Sequence, residues 1–254
     1  MRFIIMHKTT ASWEAGAIPD GQLIAAVGAL IADLKGAGIL RAGEGLRASS
    51  QGARITVSDR APDVVRGPFV GGNELPAGFD IIRAATLDEA LAWAGEVGKV
   101  LGDAELDVRP VTEPSDIGLG GRPKEVRSRR FIVLRKATAA TEAGVPLALE
   151  KQEALKRLRQ QASADHLTAE TMRPSRRGRR CKNTVGGTVF TDGPFAESKE
   201  LIAGYVIIDD VPSLDEASRW CARYVTVVGS EEADVLELEP LPAPCPPGSP
   251  AFRA

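Results

Sequence analysis

The stretch TDGPFAESKELIAGYVII, Thr191–Ile208, has a partial echo in RGPFVGGNELPAGFDII, Arg66–Ile82. At a spacing of 126 residues the two share Gly67-Pro68-Phe69 with Gly193-Pro194-Phe195, Glu74-Leu75 with Glu200-Leu201, Ala77-Gly78 with Ala203-Gly204, and Ile81-Ile82 with Ile207-Ile208. Identities this dense at one offset mean that a single structural unit occurs twice. The repeat decides for two units in a chain that could otherwise hold one large domain.

Outward from this pair the echo continues. Arg2-Phe3-Ile4 is answered by Arg130-Phe131-Ile132, Lys8 by Lys136, and Glu14-Ala15-Gly16 by Glu142-Ala143-Gly144. Each unit opens on a short apolar, β-forming run that reads as a buried strand. Residues 7–19 read as a loop. From Asp20 the apolar residues Leu23, Ile24, Val27, Leu30, Ile31 and Leu34 keep the helical period, until Gly36 and Gly38 stop it. The matching helix is expected over 147–162, with Ala154, Leu155 and Leu158 inward. Strands are expected at 39–46, 53–58 and 78–83, with a further short one leading up to the first Gly-Pro-Phe. Thr86-Leu87-Asp88-Glu89 and Ser213-Leu214-Asp215-Glu216 are capping boxes that start a second helix in each unit, before closing strands at 105–111 and 235–241.

The order β-α-β-β-α-β is ferredoxin-like, an antiparallel sheet with both helices on one face. The expected fold class is therefore α+β. A first unit over 1–113 and a second over 129–241 are joined by a linker at 114–128 and followed by a proline-rich tail at 242–254. The open faces of the two sheets must be buried, and burying them against each other gives a pseudo-twofold, barrel-like intramolecular pseudo-dimer, which leaves homo-oligomerisation open. The space between the sheets is then either a small-ligand pocket or is filled by residues such as Ile4, Ile81, Val206 and Ile208.

A net charge of −2 gives no global reason to expect nucleic acid or an anionic membrane as partner. The apolar start Phe3-Ile4-Ile5-Met6 is cut short by His7-Lys8, too soon for a signal-peptide core or a membrane span. Cys181, Cys221 and Cys245 show no CxxC spacing, which suits a reducing cytoplasm and offers neither metal knuckle nor disulfide framework. Gly118–Gly121 falls in the linker rather than between a strand and a helix, so it is no phosphate loop, and no cofactor or metal is expected. The basic run Arg173–Lys182 has no interleaved aromatics for base stacking and reads as a solvated hairpin.

The Asp192-Gly-Pro-Phe195 run with its Ala-Glu-Ser-Lys-Glu continuation, the Ala42–Arg47 segment AGEGLR, and the Leu-Asp-Glu-Ala helix starts together resemble the YCII-related family in its DGPF branch. The resemblance spans both repeats. It implies a dimeric α+β-barrel, and it implies little about activity. A relative outside the branch, chloromuconolactone dehalogenase, is an enzyme, whereas DGPF members are often associated with extracytoplasmic-function sigma factors. The catalytic reading of the wider family leans on a histidine in the first helix paired with an aspartate. Neither first helix here holds a histidine, and the sequence offers only His7 and His166.

Asp192 is the candidate catalytic residue, with Glu197 and Lys199 beside it, because the first copy replaces these three by Arg66, Gly71 and Asn73 while keeping Gly-Pro-Phe. Its competing role is turn architecture. The repeated Lys8 and Lys136 are candidates for neutralising an anionic metabolite, and Glu44 and Glu170 for accepting a proton; each also reads as a plain surface charge. Three functions follow as expectations. A ligand protein predicts an enclosed polar pocket near Asp192, Lys136 or Glu170. A regulatory partner of a sigma factor predicts a filled inter-sheet space and an exposed apolar patch. A lyase or isomerase predicts that Asp192→Asn abolishes turnover and leaves the fold intact.

Overall fold

In the computed structural model, which describes residues 1–59, 61–119, 127–162, 164–196 and 198–241, the chain runs through the same element series twice. The first series is β1 (Phe3–Lys8), α1 (Ala11–Glu14), α2 (Gly21–Gly36), β2 (Leu40–Gly45), β3 (Ala53–Val57), β4 (Asp63–Arg66), β5 (Pro76–Ala84), α3 (Leu87–Leu101) and β6 (Ala104–Pro110). The second is β7 (Arg129–Lys136), α4 (Ala139–Glu142), α5 (Leu149–Gln161), β8 (His166–Thr171), β9 (Arg179–Thr184), β10 (Gly187–Asp192), β11 (Ile202–Ile208), α6 (Leu214–Val228) and β12 (Glu232–Glu237). The architecture is α+β, with two antiparallel sheets.

The helix starts follow from their caps. Asp20 accepts a hydrogen bond from Leu23 N at 2.8 Å, Thr86 from Glu89 N and Ser213 from Glu216 N. The reciprocal bond expected at Thr86 falls one residue earlier, since Glu89 accepts from Ala85 N at 2.8 Å. The stretch 7–19, read as loop, contains the one-turn helix α1 capped by Thr10, and the linker contains a 3-10 turn at Pro114–Ile117. The proline-rich tail and Cys245 lie outside the described residues.

Strand pairing departs from the expectation that each half closes its own sheet. One sheet has the order β10-β9-β12-β1-β11-β2 and the other β4-β3-β6-β7-β5-β8. Each thus takes four strands from one half and two from the other. Inside the first sheet, β12-β1-β11-β2 is the ferredoxin-like strand order, but β1 and β2 come from the first half and β11 and β12 from the second. The physical reason lies in the repeat itself. AGFDII in β5 and AGYVII in β11 present nearly the same edge, so β1 finds an equally good partner in either copy, as in exchange of an element between identical protomers.

The alternation of side chains sorts the core into three clusters. Ile4, Met6, Tyr205, Ile207 and Leu236 of one sheet meet Phe79, Ile81, Ile132 and Leu134 of the other, so the space between the sheets is filled. On the outer faces, Phe3, Ile5, Val206 and Ile208 pack under α2 and α6, and Ile55, Ile82, Phe131 and Val133 under α3 and α5. Val206 and Ile208, expected between the sheets, face the helices instead, because the register places Tyr205 and Ile207 inward. Cys181 of β9 and Cys221 of α6 are free thiols buried where the helix packs on the sheet. Among the described residues no helix is long and apolar enough to cross a membrane.

Candidate functional site

Gly-Pro-Phe is a corner in both copies. Gly67–Pro68 and Gly193–Pro194 are cis peptide bonds, and a Cβ on Gly67 or Gly193 would stand 1.9 Å from the carbonyl oxygen of Ser49 or Ser175. Phe195 is buried; its N–H donates to Ser175 Oγ at 2.9 Å, and Arg180 stacks over its ring at 4.5 Å, as Arg54 does over Phe69 at 4.7 Å. The repeated glutamates hold the serines of these corners. Glu14 accepts from Ser49 N at 2.9 Å and from its hydroxyl at 2.5 Å, and Glu142 accepts from Ser175 N at 3.1 Å and from its hydroxyl.

The seven candidate residues do not converge. Asp192 is exposed at the end of β10, where Arg179 Nε donates to it at 2.6 Å. Lys199 is also exposed, in the loop beyond the corner, and its carbonyl abuts Gly71. Glu197 lies outside the described residues. Lys8 and Lys136 are buried in matching ion networks between the sheets. Lys8 donates to Asp234 at 2.7 Å and to Ser198 Oγ at 2.8 Å, while Lys136 meets Asp107 at 2.8 Å and also Glu74. Arg180 and Arg54 complete the two networks through Asp234 and Asp107, each at 2.7 Å. Burial works against the Asp234 charge, yet Lys8 and Arg180 hold its pKa below the usual carboxylate range. Glu170 takes a two-pronged bond from Arg2 at 2.7 and 3.0 Å, and Glu44 pairs with Arg130 in the same relation; burial raises the Glu44 pKa.

The basic run Arg173–Lys182 is extensively ion-paired, with Arg176, Arg177 and Lys182 exposed to solvent. Arg177 meets Glu237 at 2.6 Å, Arg179 meets Asp192 and Asp215, Lys182 meets Glu232 at 3.5 Å, and Arg176 donates to the Glu142 carbonyl at 2.9 Å. Its charge serves the acidic strand β12 beside it and leaves little to attract a phosphate backbone.

A cavity of about 420 Å³ lies beneath α2, on the outer face of the sheet rather than between the sheets. Leu23, Ile24, Val27 and Ile31 form its roof, Val206, Tyr224 and Val228 one wall, and Pro114, Ile117 and Leu119 of the connector another. Glycines make the room. Gly43 and Gly45 bring no side chain to the helix side of β2, and nothing stands within 4 Å of where a Cβ on Gly28 would be. Of the seven candidates only Lys8 and Glu44 reach its lining.

At the equivalent place in the second half the substitutions bring in charged side chains. At the repeat offset His7 becomes Arg135, Ile31 becomes Arg159, Gly43 and Gly45 become Ala169 and Thr171, and Val206 stands where Asp80 does. Arg135 lies across the gap, donating to the Glu170 carbonyl at 3.1 Å and reaching Thr171 Oγ1 at 3.4 Å. Asp80 accepts from Arg159 at 2.7 Å and lies 2.9 Å from His166 Nε2. One copy thus carries Arg135 and the bonded set Arg159–Asp80–His166 at this place, and the other carries apolar side chains with glycines beside an open cavity.

His7 is the polar feature of the open copy. Its Nδ1 lies 2.9 Å from the Tyr224 hydroxyl, with the rings edge to face at 5.2 Å. Gly204 makes space for the ring, since a Cβ there would stand 2.6 Å from His7 Cε1. The repeated Ala-Gly pair was the sequence's signal for this position: Gly78 clears the same space for Arg135. The one His7 side-chain hydrogen bond among the described residues is made by Nδ1, which leaves Nε2 free, and the ring lines the cavity. Burial, then the Lys8 ammonium and the Arg109 guanidinium, lower the His7 pKa to about 4, so the imidazole is neutral at physiological pH.

That shift has a consequence for stability. Between pH 6.5 and 4 the unfolded chain protonates His7 and the folded chain does not, so stability falls as pH drops through this window and levels off below it. The loss is on the order of 2–3 kcal/mol. Urea denaturation midpoints measured at pH 4–7 should show this slope in the wild type and lose most of it in His7→Phe. An unchanged slope would locate the titration elsewhere. Asp80 and Asp234, both held below 3.8, act in a separate, more acidic window.

With this geometry in place, comparison with known proteins identifies one segment. Residues 130–239 match the YCII-related domain. The YCII-related segment begins at β7 and runs past β12, so it takes in the Asp192–Phe195 corner and the whole second element series. It supplies β11 and α6, and so Val206 and Tyr224, to the cavity, while α2, β2 and His7 come from outside it. No curated protein and no solved structure matches the chain. Among the described residues no three His, Cys, Asp or Glu side chains group as metal ligands do.

Proposed function

We propose that this chain is a tandem pair of YCII-type units of the DGPF branch, arranged as a pseudo-twofold barrel, that binds one small molecule in the cavity beneath α2. The repeated element series, the two cis Gly-Pro corners and the matched Lys–Asp–Arg networks support descent of both halves from one unit. The observation that carries the ligand reading is the cavity under α2, at a place where the two copies carry different residues. Two copies of one unit share a fold, yet one places Arg135 and Arg159 under the first helix while the other lines that place with Ile31, Val206 and glycine. The site moves accordingly from between the sheets, which are packed together, to the outer face of one of them.

The test is a thermal-shift screen of uncharged and charged metabolites on the full chain and on Gly28→Trp, whose indole would occupy the cavity. A ligand at about 100 times its Kd stabilises by about 2.7 kcal/mol, a rise of roughly 5–10 °C in Tm for a chain of this size. The shift should disappear in Gly28→Trp and persist in Gly28→Ala, which gains about 0.5–1 kcal/mol from helix propensity alone. A hit that shifts both variants equally binds elsewhere and removes the cavity from the function.

A further inference from the structure

The chemistry of the cavity narrows what it can hold, given that it is the ligand site. Its charged lining groups are already matched. Arg130 bonds Glu113 through two nitrogens at 2.9 Å and also pairs with Glu44, while Lys8 is held by Asp234 and Ser198. Arg109, the other cation near His7, donates to the Arg47 and Ile202 carbonyls and sits 3.5 Å from Glu14. A charged ligand would enter an apolar chamber with no unpaired partner of opposite sign, and a buried unpaired charge costs far more than a buried hydrogen-bonded polar group. The rest of the roof and walls is mostly aliphatic or aromatic, with the hydroxyls of Thr10, Thr112 and Ser230 among them; those of Thr10 and Ser230 are bonded within the chain.

Polar atoms that stand apart from this saturation include the Thr112 hydroxyl, buried in the lining without a hydrogen-bond partner among the described residues, and His7 Nε2, the ring nitrogen that faces the cavity. His7 Nδ1 is engaged by Tyr224, and Nε2 is left over on a neutral ring. A neutral imidazole presents at Nε2 either a donor or an acceptor, depending on which nitrogen carries the proton. A hydroxyl group can answer both, because it donates and accepts.

We propose that the cavity selects an uncharged, mostly apolar molecule bearing a hydroxyl group, of the size of a phenol or a fused bicyclic alcohol, and that His7 Nε2 is the group that recognises the hydroxyl. His7 is then the specificity-determining residue and Tyr224 the positioning one. The arrangement places a directional bond from the imidazole, with the Thr112 hydroxyl also in the lining, in a mostly apolar chamber, a common design of small-molecule sites.

The experiment uses 2-naphthol, naphthalene and 2-naphthoate as probes in equilibrium dialysis against the full chain, His7→Phe and Gly28→Trp. In the wild type 2-naphthol should bind about three- to tenfold tighter than naphthalene, the worth of one net hydrogen bond, and 2-naphthoate should bind weakest. His7→Phe should bind naphthalene as well as the wild type does and lose the preference for 2-naphthol. His7→Gln, which keeps a hydrogen-bonding amide, should recover part of it and covers the case in which His7→Phe fails to fold. Equal binding of 2-naphthol and naphthalene by the wild type overturns the role of His7 and leaves the cavity as a ligand site. So does a preference that survives in His7→Phe. Tightest binding of 2-naphthoate overturns the uncharged ligand. No binding of any probe, or equal binding to Gly28→Trp, overturns the cavity reading itself.

Discussion

Gly193→Ala should lower stability by about 3–5 kcal/mol, enough to leave much of the chain unfolded at 37 °C. The methyl group would stand 1.9 Å from the Ser175 carbonyl oxygen and 2.6 Å from its carbon, both backbone atoms. Relief therefore needs the segment around Ser175 to move. That segment is tied to Glu142 through the Ser175 N–H and hydroxyl, and Ser175 Oγ in turn receives the Phe195 N–H. Displacing it would also disturb the Phe195 side chain in the core between the sheets. Gly67→Ala should behave alike, since Ser49 stands in the same relation to it and is tied to Glu14. Gly72→Ala is the control: nothing lies within 4 Å of its Cβ position, and a change within about 0.5 kcal/mol is expected. Urea denaturation of the three variants checks the set, and a Gly193→Ala midpoint close to that of Gly72→Ala would sink the corner account.

The corner illustrates what a repeat reveals. Gly-Pro-Phe survives in both copies because its surroundings survive in both, down to the serine carbonyl and the glutamate that holds the serine. The helices, their caps and the alternation of the buried strands were equally plain, since each rests on local pattern. Partner choice was not plain. β5 and β11 are so alike that no periodicity says which of them β1 will pair with, and the exchange of strands between halves is settled only by long-range packing. For the site the repeat misled in one direction and informed in another. Identity between copies drew attention to Lys8, Lys136, Glu44 and Glu170, and these turned out to be matched structural ion pairs. Difference between copies marked Asp192, which is exposed, but it also marked His7 against Arg135, the substitution beside the open cavity. The accompanying changes at Ile31, Gly43, Gly45 and Val206 are scattered over three elements and gather only when the sheet is assembled.

Asp234→Ala should cost about 3–5 kcal/mol, whereas Asp192→Ala should cost less than about 1 kcal/mol. Both carboxylates bind an arginine Nε at close range, Asp234 that of Arg180 at 2.7 Å and Asp192 that of Arg179 at 2.6 Å. Their surroundings decide the difference. The Asp234 side chain is 0% exposed and that of Asp192 72%. Removing Asp234 leaves the Lys8 ammonium, 2% exposed, with the Ser198 hydroxyl as its remaining partner among the described residues, a buried charge without its counter-ion. Removing Asp192 returns an exposed side of Arg179 to water, and Arg179 keeps Asp215 at 2.7 Å. The pair Lys8→Met/Asp234→Leu should recover much of the loss, because apolar replacement of a whole buried pair is often tolerated where half of it is not. Arg180, which keeps Glu232 at 3.2 Å, limits that recovery. A double-mutant cycle by chemical denaturation measures the coupling, expected at 2 kcal/mol or more for Lys8–Asp234 and near zero for Arg179–Asp192. Equal couplings would mean that the repeated lysine carries no more of the fold than the motif aspartate at the surface.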